Sequence, residues 1–232
     1  LIGLGLIGAA ATTAHEQRMA LQTTQGSSVS KAIANLRQRV QNQPTTLLIA
    51  ASTPELNEHT LTFLGRTNQG QTLARRLGRS AGQATLALEQ GEWWLLASGD
   101  QGTRRRSARE LSQQVRRDGR YQLVQSWPWS QQRQLELWQR RPTAQAPEPF
   151  DQRFIALARG MERGPAGLAS IFEAIGPWHL LDPRFSYQPR VRRWALAQLA
   201  NKPSDRDALW SLSLLAILQN RPQQANHWLQ RL

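Results

Sequence analysis

Glu92-Trp93-Trp94-Leu95-Leu96-Ala97 is the most apolar stretch of large side chains around which the fold can form. A short apolar run of large side chains reads as a buried strand. The turn formers Ser98-Gly99-Asp100-Gln101-Gly102-Thr103 end it. Residues 107–118 then place Leu111 and Val115 four apart among Arg, Gln and Glu, the pattern of an amphipathic surface helix. Tyr121–Trp127 and Gln134–Trp138 read as two strands joined around Pro128. In the second, Leu135 and Leu137 alternate with Glu136 and Trp138. Strand, loop, helix and hairpin in that order predict an α/β unit on which the rest must pack.

Upstream of it, the spacing of Ile33, Leu36 and Val40 predicts a helix over 27–41, which Pro44 stops. Thr45-Thr46-Leu47-Leu48-Ile49-Ala50-Ala51 reads as a central strand covered on both faces. Residues 60–64 and 71–77 read as two further strands, with Asn68-Gln69-Gly70 as the hairpin turn between them. The α/β domain is therefore expected over residues 27–141.

Residues 142–149 carry prolines and no apolar period, so they read as a linker. Beyond them, at 150–232, the texture is helical. Phe154, Leu157 and Met161 form a stripe over 150–163, Gly164-Pro165 breaks it, and 168–175 resumes with Phe172 in the seam. Gly176-Pro177, Asp182-Pro183 and Gln188-Pro189 punctuate an irregular passage. Residues 191–200, 205–218 and 222–232 are the last helices, the final one with Pro222 at its start.

The first 26 residues form a separate segment. Leu1 to Ala11 is apolar with no charge until Glu16, yet shorter than the about 20 residues that span a bilayer. It reads as the exit end of a transmembrane helix or the apolar core of a signal peptide. An N-terminal buried helix is the alternative, weakened by the glycine spacing and the lack of a polar face.

Composition narrows the chemistry. The 232 residues can bury a sizeable core. There is no cysteine, so disulfides and thiolate metal sites are excluded, and His15, His59, His179 and His227 are too scattered to form a metal-ligand cluster. The formal net charge is +13, carried almost entirely by arginine, whose planar fork suits phosphate and carboxylate. Anionic partners follow: lipid headgroups, phosphorylated ligands or nucleic acid.

The expected anion-binding residues are Gly99, Gly102, Arg104, Arg105, Arg106 and Arg109. A strand-to-helix turn with glycines can aim backbone N–H groups and the positive helix end at a phosphate. Arginines at a helix start would otherwise oppose the dipole. The loop matches no phosphate-binding signature, and a solvated turn with Asp100 as its turn residue is the other reading. Trp127-Pro128-Trp129 near Arg133 is the best base-stacking candidate. Without a nucleic-acid-binding motif beside the charge, however, nucleic acid is not the expected partner. Asp100, Glu55, Glu58, Glu89 and Glu92 form no recognisable acid/base pair, and no G-x-S-x-G elbow is present. No catalytic residue, metal or cofactor is expected within the chain.

Two family resemblances add to this. Leu209, Leu212, Ala216, Ala225 and Leu229, with Asn220-Arg221-Pro222 between two helices, resemble one tetratricopeptide repeat. Ser213 stands where that family usually has glycine, and residues 195–203 look like the second helix of a preceding, degenerate repeat. One and a half repeats suit a packing cap better than a peptide groove, though a protein-interaction adaptor is the alternative function.

Thr46-Leu47-Leu48-Ile49-Ala50-Ala51-Ser52 with Thr53-Pro54-Glu55-Leu56-Asn57 is similar to the extracytoplasmic tail of bacterial family-39 membrane glycosyltransferases, the dolichyl-phosphate-mannose and aminoarabinose transferase-like group. So are Ala74-Arg75-Arg76-Leu77-Gly78-Arg79, the 92–102 stretch and Arg133-Gln134-Leu135-Glu136-Leu137-Trp138-Gln139-Arg140-Arg141. This resemblance covers about residues 45–141. It implies an accessory domain on the periplasmic side, attached to a membrane portion of the same polypeptide that takes sugar from a polyprenyl-phosphate carrier. No residue here matches that family's catalytic loop. The implied partners are the membrane with its anionic lipid or polyprenyl-phosphate headgroups.

Overall fold

In a computed structural model of the protein the described residues are 27–77, 81–99, 101–103, 106–129, 132–142 and 150–232. The chain divides after Gln145 into an α/β unit and a helical unit. The expected segment Leu1–Ala11, Arg104 and Arg105, and most of the Pro-rich stretch lie outside the described residues.

The first unit is mixed α/β. Its elements are α1 (Ser28–Arg39), β1 (Thr45–Ile49), α2 (Glu58–Arg66), β2 (Thr72–Arg76), α3 (Ala81–Gln90), β3 (Trp93–Ala97), α4 (Arg106–Arg117), β4 (Tyr121–Trp129) and β5 (Arg133–Arg140). The sheet order is β2-β1-β3-β5-β4. β1 pairs parallel to both β2 and β3, and the β4–β5 hairpin joins antiparallel through β5. β1 is thus interior, as its unbroken apolar run requires.

The strand period of two sends alternate side chains to opposite faces. Leu47 and Ile49, Trp93 and Leu95, and Leu135 and Leu137 join Val29, Ile33 and Leu36 of α1 and Leu61 and Leu64 of α2 in one core. Leu48, Trp94 and Leu96 point the other way, toward the layer holding Ala87 of α3 and Leu111 and Val115 of α4, all buried. Each fully buried large side chain contributes roughly 1.5–3 kcal/mol, as Leu36, Leu47 and Ile49 do in the first layer and Trp94 in the second.

Three expectations are corrected here. Residues 60–64 are helical, within α2. Asn57 caps that helix by accepting the His59 and Thr60 N–H groups at 2.9 and 3.0 Å, and the cap outweighs the β-prone Thr60-Leu61-Thr62-Phe63. Consequently Asn68-Gln69-Gly70 is no hairpin turn; it carries the chain from α2 into a parallel strand, with Asn68 and Gln69 at φ 49° and 60°. Pro128 lies inside β4 opposite Gln134. A proline is tolerated there because β4 is an edge strand. Helix α3 had no counterpart in the sequence reading.

The second unit is helical. It comprises α5 (Phe150–Ala158), a 3₁₀ turn (Arg159–Arg163), α6 (Pro165–Leu181), α7 (Tyr187–Asn201), α8 (Arg206–Leu218) and α9 (Pro222–Leu229). α8 is buried nearly all round: Ala208, Leu209 and Ser211 through Ala216 are all inaccessible. Such a helix must be the centre of its bundle. Leu209 and Leu212 pack with Ala195, Leu199 and Ala208, and Trp194 and Trp228 close over that cluster.

Phe172 is exposed, and Gly167, Ile171, Ile175 and Trp178 form the α6 seam instead. The irregular passage is also smaller than expected. α6 continues through Pro177 to Leu181, and Pro189 falls in the first turn of α7, where an N–H is unpaired in any case.

Candidate anion-binding site

In the order β2-β1-β3 the chain runs from β1 out to β2 and then crosses back to β3 on the other side of β1, which reverses the strand order there. Open α/β sheets bind ligands at the carboxyl ends of strands on either side of such a reversal. Here those ends carry Ser52 after β1, Arg76 at the close of β2, and Ser98, Gly99 and residues 101–103 after β3. The Arg76 guanidinium donates to the Ser52 hydroxyl. Its backbone N–H donates to Glu58 Oε2 at 3.1 Å, which ties the end of β2 to the start of α2.

The β3–α4 loop is drawn onto β1. Ser52 N–H donates to the Gln101 carbonyl at 2.8 Å, and the buried Gln101 side chain accepts from Ser112 Oγ at 3.2 Å. Gly99 and Gly102 both sit at φ +69°, and a Cβ on Gly102 would lie 2.6 Å from the Ser52 carbonyl oxygen. Only glycine permits this approach. At the far side, Ser98 and Gln134 bond reciprocally, which sets Arg133 beside Gly99 and 4.6 Å over the Trp129 ring. The carboxyl edge therefore presents Arg76, Ser52, the glycine loop and Arg133 in series.

The expected residues come only partly together. Gly99 and Gly102 belong to this edge. Arg106 opens α4, but its guanidinium lies on Glu110 at 2.6 Å, a pairing that holds its pKa above the ordinary value. Arg109 is exposed on the same helix. The sequence reading missed Ser52 and Arg76. Its one signal was the basic pair Arg75-Arg76 closing the Thr72–Arg76 strand.

Both units carry a net positive charge. Residues 1–145 hold 18 Arg and Lys against 9 Asp and Glu, while residues 146–232 hold 11 against 7. Among the described residues no group of His, Cys, Asp or Glu could hold a metal ion, and no helix is long and apolar enough to cross a membrane. Trp93, Trp94 and Trp127 are buried, and Trp210 donates to Glu162 at 3.1 Å. The Trp127-Pro128-Trp129 segment packs on α1, with Trp127 in the core and Ser28 Oγ donating to the Pro128 carbonyl.

No family model matches the chain, and neither does any curated protein or solved structure.

Proposed function

We propose that the chain is an anion-recognising accessory part of a membrane glycosyltransferase, which takes sugar from a polyprenyl-phosphate donor on the extracytoplasmic side. In this reading the α/β unit receives a phosphate at the carboxyl edge of its parallel strands, and the catalytic groups lie in the membrane portion of the same polypeptide. The observation that carries it is the Arg76–Ser52 contact beside the glycine loop at the reversal of strand order. A guanidinium held by a neutral hydroxyl can exchange that partner for a phosphate oxygen in a charge-assisted bond.

Titration calorimetry with farnesyl phosphate, a soluble short-chain polyprenyl phosphate, tests the reading against farnesol. Binding of the phosphate alone is expected, weakened about tenfold by Arg76→Gln, since hydrogen bonds to charged groups contribute about 1.5–3 kcal/mol. Equal binding of farnesol, or indifference to Arg76→Gln, would sink it. The chain alone should transfer no sugar.

The helical unit takes the role of a tetratricopeptide-like packing cap. Supporting this, Ser213, Ala216 and Ala225 are buried at the small-residue positions of the α8–α9 hairpin. The adaptor alternative needs an open face on α8. That helix is enclosed, and its first turn is tied to the 3₁₀ turn by Arg159–Asp207 and Arg206–Glu162.

A further inference from the structure

The outer surface of α1 and α2 is not used by the phosphate-binding edge. Both helices cover the same face of the sheet. α1 contains Lys31, Arg37 and Arg39 and no acidic residue. In α2, His59, Phe63 and Arg66 recur at i, i+4 and i+7, which puts them on one stripe, and all three are exposed. Phe63 is 51% exposed, the most open large apolar side chain among the described residues. Glu58, the one carboxylate of α2, accepts from the Arg76 N–H through Oε2, while its Oε1 lies 3.8 Å from His59 Nε2. An exposed phenylalanine among basic side chains is the composition of an interfacial membrane contact.

We infer that the α1–α2 face docks on an anionic lipid bilayer, with Phe63 entering the headgroup region and Lys31 and Arg66 against lipid phosphates. One further observation favours a bilayer over other anions. The charge-free segment Leu1–Ala11 precedes α1 by only residues 12–27. Arg37 is engaged within the protein, donating to the Asn68 carbonyl at 3.0 Å, so it braces α1 against the end of α2 and keeps the two helices in one surface. The α4 face, by contrast, offsets Arg106 with Glu110 and exposes no aromatic residue. The inference rests on the anion-recognition reading for its setting, but uses different residues.

The chain lacks cysteine, so Phe63→Cys and, on the outer side of α4, Gln113→Cys each accept a single environment-sensitive dye in the full chain. With vesicles of phosphatidylcholine plus phosphatidylglycerol, the dye at 63 should shift to the blue and the dye at 113 should not. Pure phosphatidylcholine should give no shift. Lys31→Gln and Arg66→Gln should each weaken vesicle binding about fivefold, as each basic residue near an anionic surface contributes about 1 kcal/mol. A shift at 113 alone would overturn this face while leaving anion recognition intact. Equal binding to neutral vesicles, or no vesicle binding beside intact farnesyl phosphate binding, would overturn the docking inference only.

Discussion

The guanidinium of Arg140 lies over the ring of Tyr121, 5.3 Å from its centroid, and both side chains end on the carbonyls that close α3. Arg140 Nε donates to the Gly91 carbonyl at 3.1 Å and Nη2 to that of Leu88 at 3.0 Å, with a further bond to Glu89. The Tyr121 hydroxyl lies 2.9 and 3.0 Å from the Leu88 and Gly91 carbonyls. A helix leaves its last carbonyls without intrahelical donors, and cations favour that end. Two strand residues thus satisfy a buried helix end that α3 itself cannot.

Removing that cap should be costly. Arg140→Leu strands buried acceptors, each worth about 1–3 kcal/mol when left unpaired. Urea denaturation should show a loss near the upper figure, with Tyr121→Phe milder because Arg140 still serves both carbonyls. Burial already holds the Tyr121 hydroxyl above its ordinary pKa. An unchanged midpoint for Arg140→Leu would remove the cap from the stability of this unit.

Two glycines should respond in opposite directions to alanine. Gly102→Ala forces a side chain into the left-handed region, at about 1–2 kcal/mol, and drives its Cβ onto the Ser52 carbonyl. Gly82 lies inside α3 with nothing within 4 Å of an added Cβ. Gly82→Ala should therefore stabilise by about 1 kcal/mol through helix propensity. Denaturant midpoints of the two variants, measured side by side, check both signs.

His179 gives the helical unit a pH dependence. Its Nε2 lies 2.8 Å from the Tyr187 hydroxyl, and burial lowers its pKa from 6.5 against the opposing charge of Asp182. A lowered histidine stays neutral in the fold while the unfolded chain takes up a proton. Its contribution is therefore complete above pH 6.5 and declines as pH falls through 6.5 toward the lowered native value. Melting temperatures between about pH 7.5 and 5.5 should fall on acidification, and less so in His179→Gln.

Asp207 acts further down the scale. Arg159 donates to both its oxygens, at 2.6 and 2.5 Å, and that hydrogen bonding lowers the carboxyl below its ordinary 3.8. The stabilisation is present above pH 3.8 and is lost as pH falls through the depressed native value. Both side chains are substantially exposed, so salt should erode the effect. Acid titration of Asp207→Asn, followed by helical circular dichroism, should show a flatter limb than the parent protein.

Local sequence is enough for the elements whose period matches their burial. Trp93–Ala97 is apolar throughout because both faces of β3 are covered, and Leu135 and Leu137 alternate because β5 turns only one side to α1. Helices α1, α4, α7 and α8 were legible from their spacing for the same reason. Tertiary structure decided what local pattern leaves open. α2 is helical because Asn57 caps it and Leu61 and Leu64 find the core, although Thr60–Phe63 alone favours a strand. α3 has small residues facing the sheet, so its apolar stripe is faint until Leu48 and Trp94 supply the surface it covers. The site divides the same way. Gly99 and Gly102 announce a turn in one stretch of chain, whereas Ser52 and Arg76 are 24 residues apart and meet only because β1 and β2 pair in parallel. Strand order is set by which crossovers bury both faces of the sheet, a property of the whole packed layer that no single stretch encodes.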